Sequence, residues 1–291
     1  MTHMLADDRY VRAPLAHSDG APDLDACAAL ASTLAAAARR IAMRHFRTPI
    51  AVETKTDLSP VTLADRSIEA ELKALIDARA PDHGIFGEEH GAARDGARLL
   101  WVIDPIDGTK SFVSGLPLFG TLVALLDGGT PVLGMIDMPA LSETWLGRRD
   151  KPTTLNGRPC RIRDCRHLRD AVLYTTSPEP FRGREADAFS ALGAGVRMTR
   201  FGGDCYSYGL LAAGHVDLVC EVGLQPYDYL PLVPVITGAG GVITDWNGEA
   251  LTMQSDGRVM AAATPDLHAK ALDVVRTTLD PGDPSGAIPH R

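Results

Sequence analysis

The sequence predicts a mixed α+β protein built in layers, with an antiparallel sheet in its first half and a smaller sheet interleaved with helices in its second. Three observations lead there. Two stretches with apolar residues at helical spacing precede residue 80. Two apolar runs, Phe119 to Leu126 and Pro131 to Met138, are joined through Asp127-Gly-Gly-Thr130, a hairpin signal. Beyond residue 158, short apolar runs of strand length alternate with helical ones, which argues for helices layered on a sheet.

Taken in order, residues 1 to 21 are mixed in charge and without periodicity, and are expected to form a loosely ordered lead-in. A long helix follows from about Asp23 to Arg47. Cys27, Leu30, Ala31, Leu34, Ala38 and Ile41 share one face, acids lie near its start and arginines near its end, as the helix dipole favours. Pro49 stops it, Ile50 to Thr54 reads as a short strand, and Lys55 to Pro60 as a polar turn. Thr62-Leu-Ala-Asp65 has capping-box spacing and opens a second helix with Ile68, Leu72, Leu75 and Ile76 inside. Ile85-Phe86 leads to Gly87-Glu88-Glu89, and residues 90 to 98 read as a charged loop.

The next stretch carries the chemistry. Leu99 to Ile103 is a short apolar strand, and Asp104-Pro-Ile-Asp-Gly-Thr109 turns sharply out of it. Pro105 fixes its φ and has no N–H, while Gly108 tolerates a backbone that other residues resist. Asp104 and Asp107 at the end of a buried strand repel one another unless a proton or cation compensates. Oxygen ligands without a nearby His or Cys point to Mg²⁺ or a similar hard ion. A helix starting at Gly108-Thr109 would offer backbone N–H groups to an anion such as phosphate.

After the hairpin, Glu143 to Gly147 is a strand and Asn156-Gly157 a tight turn. The basic, weakly patterned stretch from Arg158 to Arg169 reads as solvated surface and marks a boundary, giving an N-terminal domain over 1–157 and a C-terminal one over 158–291. Strands are expected at 171–175, 196–201, 216–221, 242–246 and 259–263. Helices are expected at 182–192, 205–213, after Gln225, and at 265–279. Gly238-Ala-Gly-Gly241 is no dinucleotide fingerprint, because Ile243 stands where the third glycine belongs; it reads as a helix end packed closely on a strand. The tail from Asp280 is Pro- and Gly-rich and expected to fray.

Composition narrows the function. A formal net charge of −8 argues against a general nucleic-acid surface. The five cysteines are odd in number and lack Cys-x-x-Cys spacing, which points to reduced thiols in the cytoplasm. No basic-then-apolar leader and no run of 18 apolar residues is present, so neither a signal peptide nor a membrane partner is expected.

Asp104-Pro-Ile-Asp-Gly-Thr109, preceded by Val61-Thr62 with Asp65 and by Gly87-Glu88-Glu89, and followed by Tyr227-Asp228 and Ala239-Gly-Gly241, resembles the inositol monophosphatase family of Mg²⁺-dependent phosphatases. The Asp-x-Asp-x-Thr template of haloacid-dehalogenase-type phosphatases does not fit the Asp104–Asp107 spacing. The resemblance implies a layered α-β-α-β-α sugar-phosphatase-like fold. It implies two or three Mg²⁺ ions, one held by Glu88, Asp104 and the Ile106 carbonyl and a second by Asp104, Asp107 and Asp228, with the C-terminal half supplying Asp228. Glu88 and Thr109, with Asp65 behind Thr109, would position the attacking water, and Gly108 and Thr109 would bind phosphate. It further implies Li⁺ inhibition and a homodimer.

Within that family the chain looks most like the histidinol-phosphate phosphatases of histidine biosynthesis, through Lys110-Ser-Phe112, Gly203-Asp-Cys-Tyr206, Gly223-Leu-Gln-Pro-Tyr-Asp228 and Gly240-Gly-Val-Ile-Thr-Asp-Trp246. Inositol-directed members commonly carry Thr-Asn where Lys110-Ser111 stands, and Trp-Asp where Tyr227-Asp228 stands. An inositol or nucleotide phosphatase and a non-catalytic metal-binding protein are the alternatives. A cationic alcohol such as histidinol calls for carboxylates outside the metal set, and Asp204 and Glu221 are the candidates. Helix capping is the plainer reading of Asp204, and a solvated strand end that of Glu221.

Overall fold

The computed structural model describes residues 20–49, 52–54, 60–94 and 96–280. The expectations for the lead-in up to residue 19, for the turn at 55–59 and for the tail from 281 lie outside them. Helix α1 (Leu24–His45) is capped by Asp23, whose carboxylate accepts from the N–H groups of Asp25 and Ala26. Strands β1 (Val52–Thr54) and β2 (Pro60–Thr62) pair as an antiparallel ribbon, and α2 (Leu63–Arg79) starts from the expected capping box. Leu30 and Leu34 of α1 and Ile68, Leu72 and Ile76 of α2 are fully buried, each worth about 1.5–3 kcal/mol. α1 is long and apolar enough to span a membrane, but its apolar side is spent inside this core.

The first sheet has eight strands in the order β10-β9-β8-β7-β6-β5-β3-β4. They are β3 (Gly84–Gly87), β4 (Gly91–Ala93), β5 (Leu99–Asp107), β6 (Gly120–Asp127), β7 (Thr130–Met138), β8 (Glu143–Arg148), β9 (Lys151–Leu155) and β10 (Arg158–Pro159). All neighbours are antiparallel except β3 and β5. Helix α3 (Thr109–Val113) lies between β5 and β6.

Three differences from the sequence reading stand out. Part of the expected loop at 90–98 is β4, an edge strand of Gly and Ala with little intrinsic preference for extension, drawn in by pairing with β3. The polar strands β9 and β10 extend the other edge around the Asn156-Gly157 turn, so the sheet runs to Pro159. And β5 continues to Asp107 through a bulge between Asp104 and Asp107.

The second sheet has the order β12-β11-β13-β15-β14, from β11 (Val172–Thr175), β12 (Met198–Phe201), β13 (Leu218–Glu221), β14 (Val242–Asp245) and β15 (Val259–Ala262). β11 is parallel to β12 and β13, whereas β15 is antiparallel to β13 and β14. Helices α5 (Tyr206–Ala212), α6 (Pro226–Tyr229) and α7 (Leu232–Gly238) fill the space between the sheets, and α4 (Arg184–Gly195) and α8 (Pro265–Leu279) cover the far face. With α1 and α2 on the other side of the first sheet, the layers run α-β-α-β-α.

Two strand glycines set how close the middle layer comes. A Cβ added at Gly134 of β7 would lie 2.0 Å from the Pro231 carbonyl oxygen, and one at Gly147 of β8 would lie 2.3 Å from that of Pro234. The backbone leading into α7 rests directly on the sheet at these points. That contact fixes α6, and with it Asp228, against β5.

Candidate active site

The bulge in β5 creates the centre of the site. Pro105 can give the ladder no N–H, and its carbonyl accepts from the Thr121 hydroxyl at 2.8 Å. The Ile106 N–H turns inward and donates to Asp104 Oδ1 at 3.0 Å. Gly108 takes a left-handed φ of +79°, so the chain passes at once from strand to α3. The Thr109 hydroxyl donates to the Ile106 carbonyl at 3.0 Å. The N–H groups of Gly108 and Thr109 stand at the start of α3, where a helix has no internal acceptors to offer.

Asp104, Asp107 and Asp228 converge here, each with one carboxylate oxygen within 4.8 Å of the others'. Asp104 is buried and the other two are half-buried. Each has one backbone donor: Ile106 N for Asp104, Cys205 N at 2.6 Å for Asp107, and Gln225 N at 2.7 Å for Asp228. Among the described residues no Lys or Arg pairs with any of them.

The electrostatic consequence is large. Burial, then the charges of Glu88, Asp107 and Asp228, push the Asp104 carboxyl far above the usual carboxylate range. Burial and then Asp204 raise Asp107 to about 7, and burial and then Asp107 raise Asp228 strongly. Ionised together at neutral pH, these acids require a counter-charge. The donors are all oxygens. Burial and Asp107 push the neighbouring Cys205 thiol far up, and the converging ligand atoms are those of the three aspartates. The set fits a small, hard divalent cation such as Mg²⁺.

Glu88 sits on the turn after β3, its N–H donating to the Ile103 carbonyl at 3.2 Å, and its charge reaches Asp104, Asp107, Asp228 and Asp65. The strand that delivers it is tied to α6, since Phe86 stacks on Tyr227 with centroids 6.2 Å apart. Asp65 closes the capping box of α2. Its Oδ2 accepts from the Thr62 N–H at 2.8 Å and the Thr62 hydroxyl at 2.5 Å, while Oδ1 is buried without a partner. Burial raises its pKa. Thr109 is therefore hydrogen-bonded to Ile106 and not to Asp65.

The two acids proposed outside the metal set differ. Asp204 does not cap α5: Cys205 is the N-cap residue, and Asp204 has a φ of +44°. Its carboxylate instead crosses to the Gly108 turn, where Oδ2 accepts from Ser111 Oγ at 2.8 Å and would lie 2.9 Å from a Cβ at Gly108. Burial raises its pKa, opposed by Ser111 and Lys110. Glu221 is not a solvated strand end. It is buried, accepts from the Thr175 hydroxyl at 2.9 Å and the Thr176 N–H at 2.7 Å, and is driven by burial to about 7.

One acid at this site has no place in the sequence reading. Glu69, on the buried face of α2, meets the turn that carries Glu88. The available signal was an acid one helical turn after Asp65, between the buried positions Ile68 and Leu72.

The family model for the inositol monophosphatase family matches residues 23–279. The chain is 45% identical to the chloroplastic bifunctional phosphatase IMPL2 of Arabidopsis thaliana, over 86% of its own length and 75% of the relative's. It is 33% identical to a histidinol-phosphatase of Chlorobaculum parvum, over 82% and 92%. An inositol monophosphatase from Zymomonas mobilis has the same fold, with a TM-score of 0.81 at 43% identity, covering 88% of this chain and all of that one.

Proposed function

Because the chain belongs to the inositol monophosphatase family, we propose that it is a Mg²⁺-dependent phosphoric monoester hydrolase acting on histidinol phosphate, to release histidinol and phosphate. The observation that carries the substrate reading is Asp204, an acid outside the metal set that Ser111 holds against the Gly108 turn. A phosphate on that turn would place its alcohol near this carboxylate, which suits a cationic alcohol. The histidinol-phosphatases among the relatives support the same reading.

Glu88, Asp104, Asp107, Asp228 and the Ile106 carbonyl would hold the ions. Bound there, Mg²⁺ supplies charge to the phosphoryl oxygens and lowers the pKa of the attacking water. The Gly108 and Thr109 N–H groups receive phosphate oxygens, because the left-handed turn aims them out of the strand. Glu88 and the Thr109 hydroxyl orient the water, and the unpartnered Asp65 Oδ1 is the acceptor that would hold that hydroxyl once it leaves Ile106. Glu221, held by Thr175 and Thr176, acts on the alcohol side through the charge it shares with Asp204. The unpaired cysteines favour a cytoplasmic setting.

A second reading, inositol phosphate hydrolysis, draws on the Zymomonas mobilis structure. Phosphate release from histidinol phosphate, inositol phosphates and nucleotide monophosphates, measured as kcat/KM with Mg²⁺, tests both. The highest value is expected for histidinol phosphate, and a preference for inositol phosphate would overturn the substrate reading. LiCl should inhibit more than equimolar NaCl.

A further inference from the structure

Glu69 is fully buried, and no Lys or Arg side chain among the described residues pairs with it. It is spent on the turn after β3. Its Oε2 accepts from the Glu89 N–H at 2.6 Å, its Oε1 accepts from the His90 N–H at 3.0 Å, and His90 Nδ1 lies 3.0 Å from the same oxygen. The fit is tight, since a Cβ added at Gly87 would lie 2.2 Å from Oε1. The two residues after Glu88 are thus hydrogen-bonded to α2 and Gly87 before it packs against the same carboxylate, while the Glu88 N–H is fastened to Ile103 of β5.

We propose that Glu69 is a positioning residue for the metal set: it clamps the Gly87–His90 turn so that the Glu88 carboxylate stands beside Asp104 before a cation arrives. Two N–H groups from consecutive residues converge on it, and an ionised carboxylate, with an acceptor at each end, satisfies both. A glutamine presents its NH₂ to one of them and loosens the clamp. Gly87 is required for the same reason, because any side chain there displaces the carboxylate. This inference rests on the reading of Glu88 as a cation ligand.

The test is Mg²⁺ binding to metal-free protein by isothermal titration calorimetry, with melting temperature and kcat and KM recorded in parallel, for Glu69→Gln, Gly87→Ala and Glu88→Gln. Glu69→Gln and Gly87→Ala should each weaken Mg²⁺ binding by about 10–100-fold, as loss of a ligand-orienting partner does. Excess Mg²⁺ should recover most of kcat, with KM changed little. Wild-type Mg²⁺ affinity in both, with only the melting temperature lowered, would make Glu69 a packing residue and overturn the proposal. If Glu88→Gln itself binds Mg²⁺ as wild type does, the Glu88 reading fails first and takes this inference with it. Should Glu69→Gln not fold, Gly87→Ala decides the question alone, since it keeps the charge of Glu69 and only pushes its carboxylate off the turn.

Discussion

Asp137 and Asp217 are at least as buried as Asp104, yet the fold treats them differently. Asp137 on β7 faces Arg39 of α1, with Nη2 2.5 Å from Oδ1 and Nε 3.3 Å from Oδ2, and also accepts from the Thr144 hydroxyl at 2.6 Å. Asp217 accepts from Arg163 at 3.0 and 2.5 Å and from the Val172 N–H at 2.8 Å. Each has a guanidinium fork and at least one further donor, so the carboxylate is complete without any ligand. Asp104, Asp107 and Asp228 have one backbone donor apiece and face one another. Burial alone does not separate the two groups; the presence or absence of a cationic partner does. Glu221 lies between the two kinds, with two neutral donors and no guanidinium.

The widest separation should come from the metal set. Chelation should abolish phosphate release and added Mg²⁺ restore it, with full activity after exhaustive chelation counting against the whole reading. Asp107→Asn keeps the shape and removes a charge, and should lower turnover by at least about a hundredfold, about 2.7 kcal/mol of barrier. The same change in metal-free protein relieves repulsion, so its melting temperature should hold or rise. Asp107→Asn with normal turnover would reduce Asp107 to a turn residue and break the contrast.

Glu221 sharpens the comparison through pH. Its pKa in the folded protein, about 7, lies above its ordinary 4.5, so the folded state holds the proton more tightly than the unfolded chain does. Its contribution to stability is greatest below about pH 4.5, falls as pH rises, and levels off above about 7. That gap corresponds to about 3 kcal/mol at ~1.4 kcal/mol per pH unit. The stability of wild type minus that of Glu221→Gln, from denaturant titrations across this range, should decline by up to this amount, because the other acids titrate in both proteins. A flat difference would place Glu221 with the fully compensated acids.

Asp217→Asn should show the opposite pattern from Asp107→Asn: activity per folded molecule close to wild type, and stability lower by about 1.5–3 kcal/mol for the lost charge-assisted bonds. The Arg163 side chain is 44% exposed, so solvent softens the loss. Urea titration beside a turnover assay reads both quantities. A large loss of turnover with unchanged stability would show that the contrast drawn from side-chain partners is wrong.

How far the sequence could be read follows the same division. Asp104 and Asp107 are legible because their turn is local, with Pro105, Gly108 and both acids inside six residues. Asp228 is legible only through the family resemblance of Tyr227-Asp228 and Ala239-Gly-Gly241, since its approach to β5 depends on Gly134 and Gly147, some 80 to 95 residues earlier. Glu69 escapes because its partners lie 20 and 21 residues ahead, and its own helix shows only an acid among apolar neighbours. β4 escapes because Gly and Ala extend there for the sake of β3. β9 and β10 escape because the strands flanking the Asn156-Gly157 turn are polar, and only the turn itself was legible. Asp204 was readable as a helix start and proves to be something else, because a left-handed backbone at a non-glycine residue is set by tertiary context.

Asp204 carries the smallest predicted effect and the most specific one. It resembles the metal set in having no guanidinium and the compensated set in having a firm side-chain donor, Ser111. If its charge serves a cationic alcohol, Asp204→Asn should raise KM for histidinol phosphate and leave the phosphate of a neutral alcohol nearly unchanged. Lys110 competes for the same charge and the site is only half-buried, so the lower end of the range for a charge-assisted bond applies, about 1.5 kcal/mol or roughly tenfold. Ser111→Ala should produce a weaker version of the same selective change, because it frees the carboxylate to turn without removing it. If Asp204 only braces the Gly108 turn, both substrates lose kcat/KM equally in Asp204→Asn, since the turn serves the phosphate they share. The ratio of kcat/KM values for the two substrates, not either value alone, separates a carboxylate that reads the alcohol from one that holds the loop.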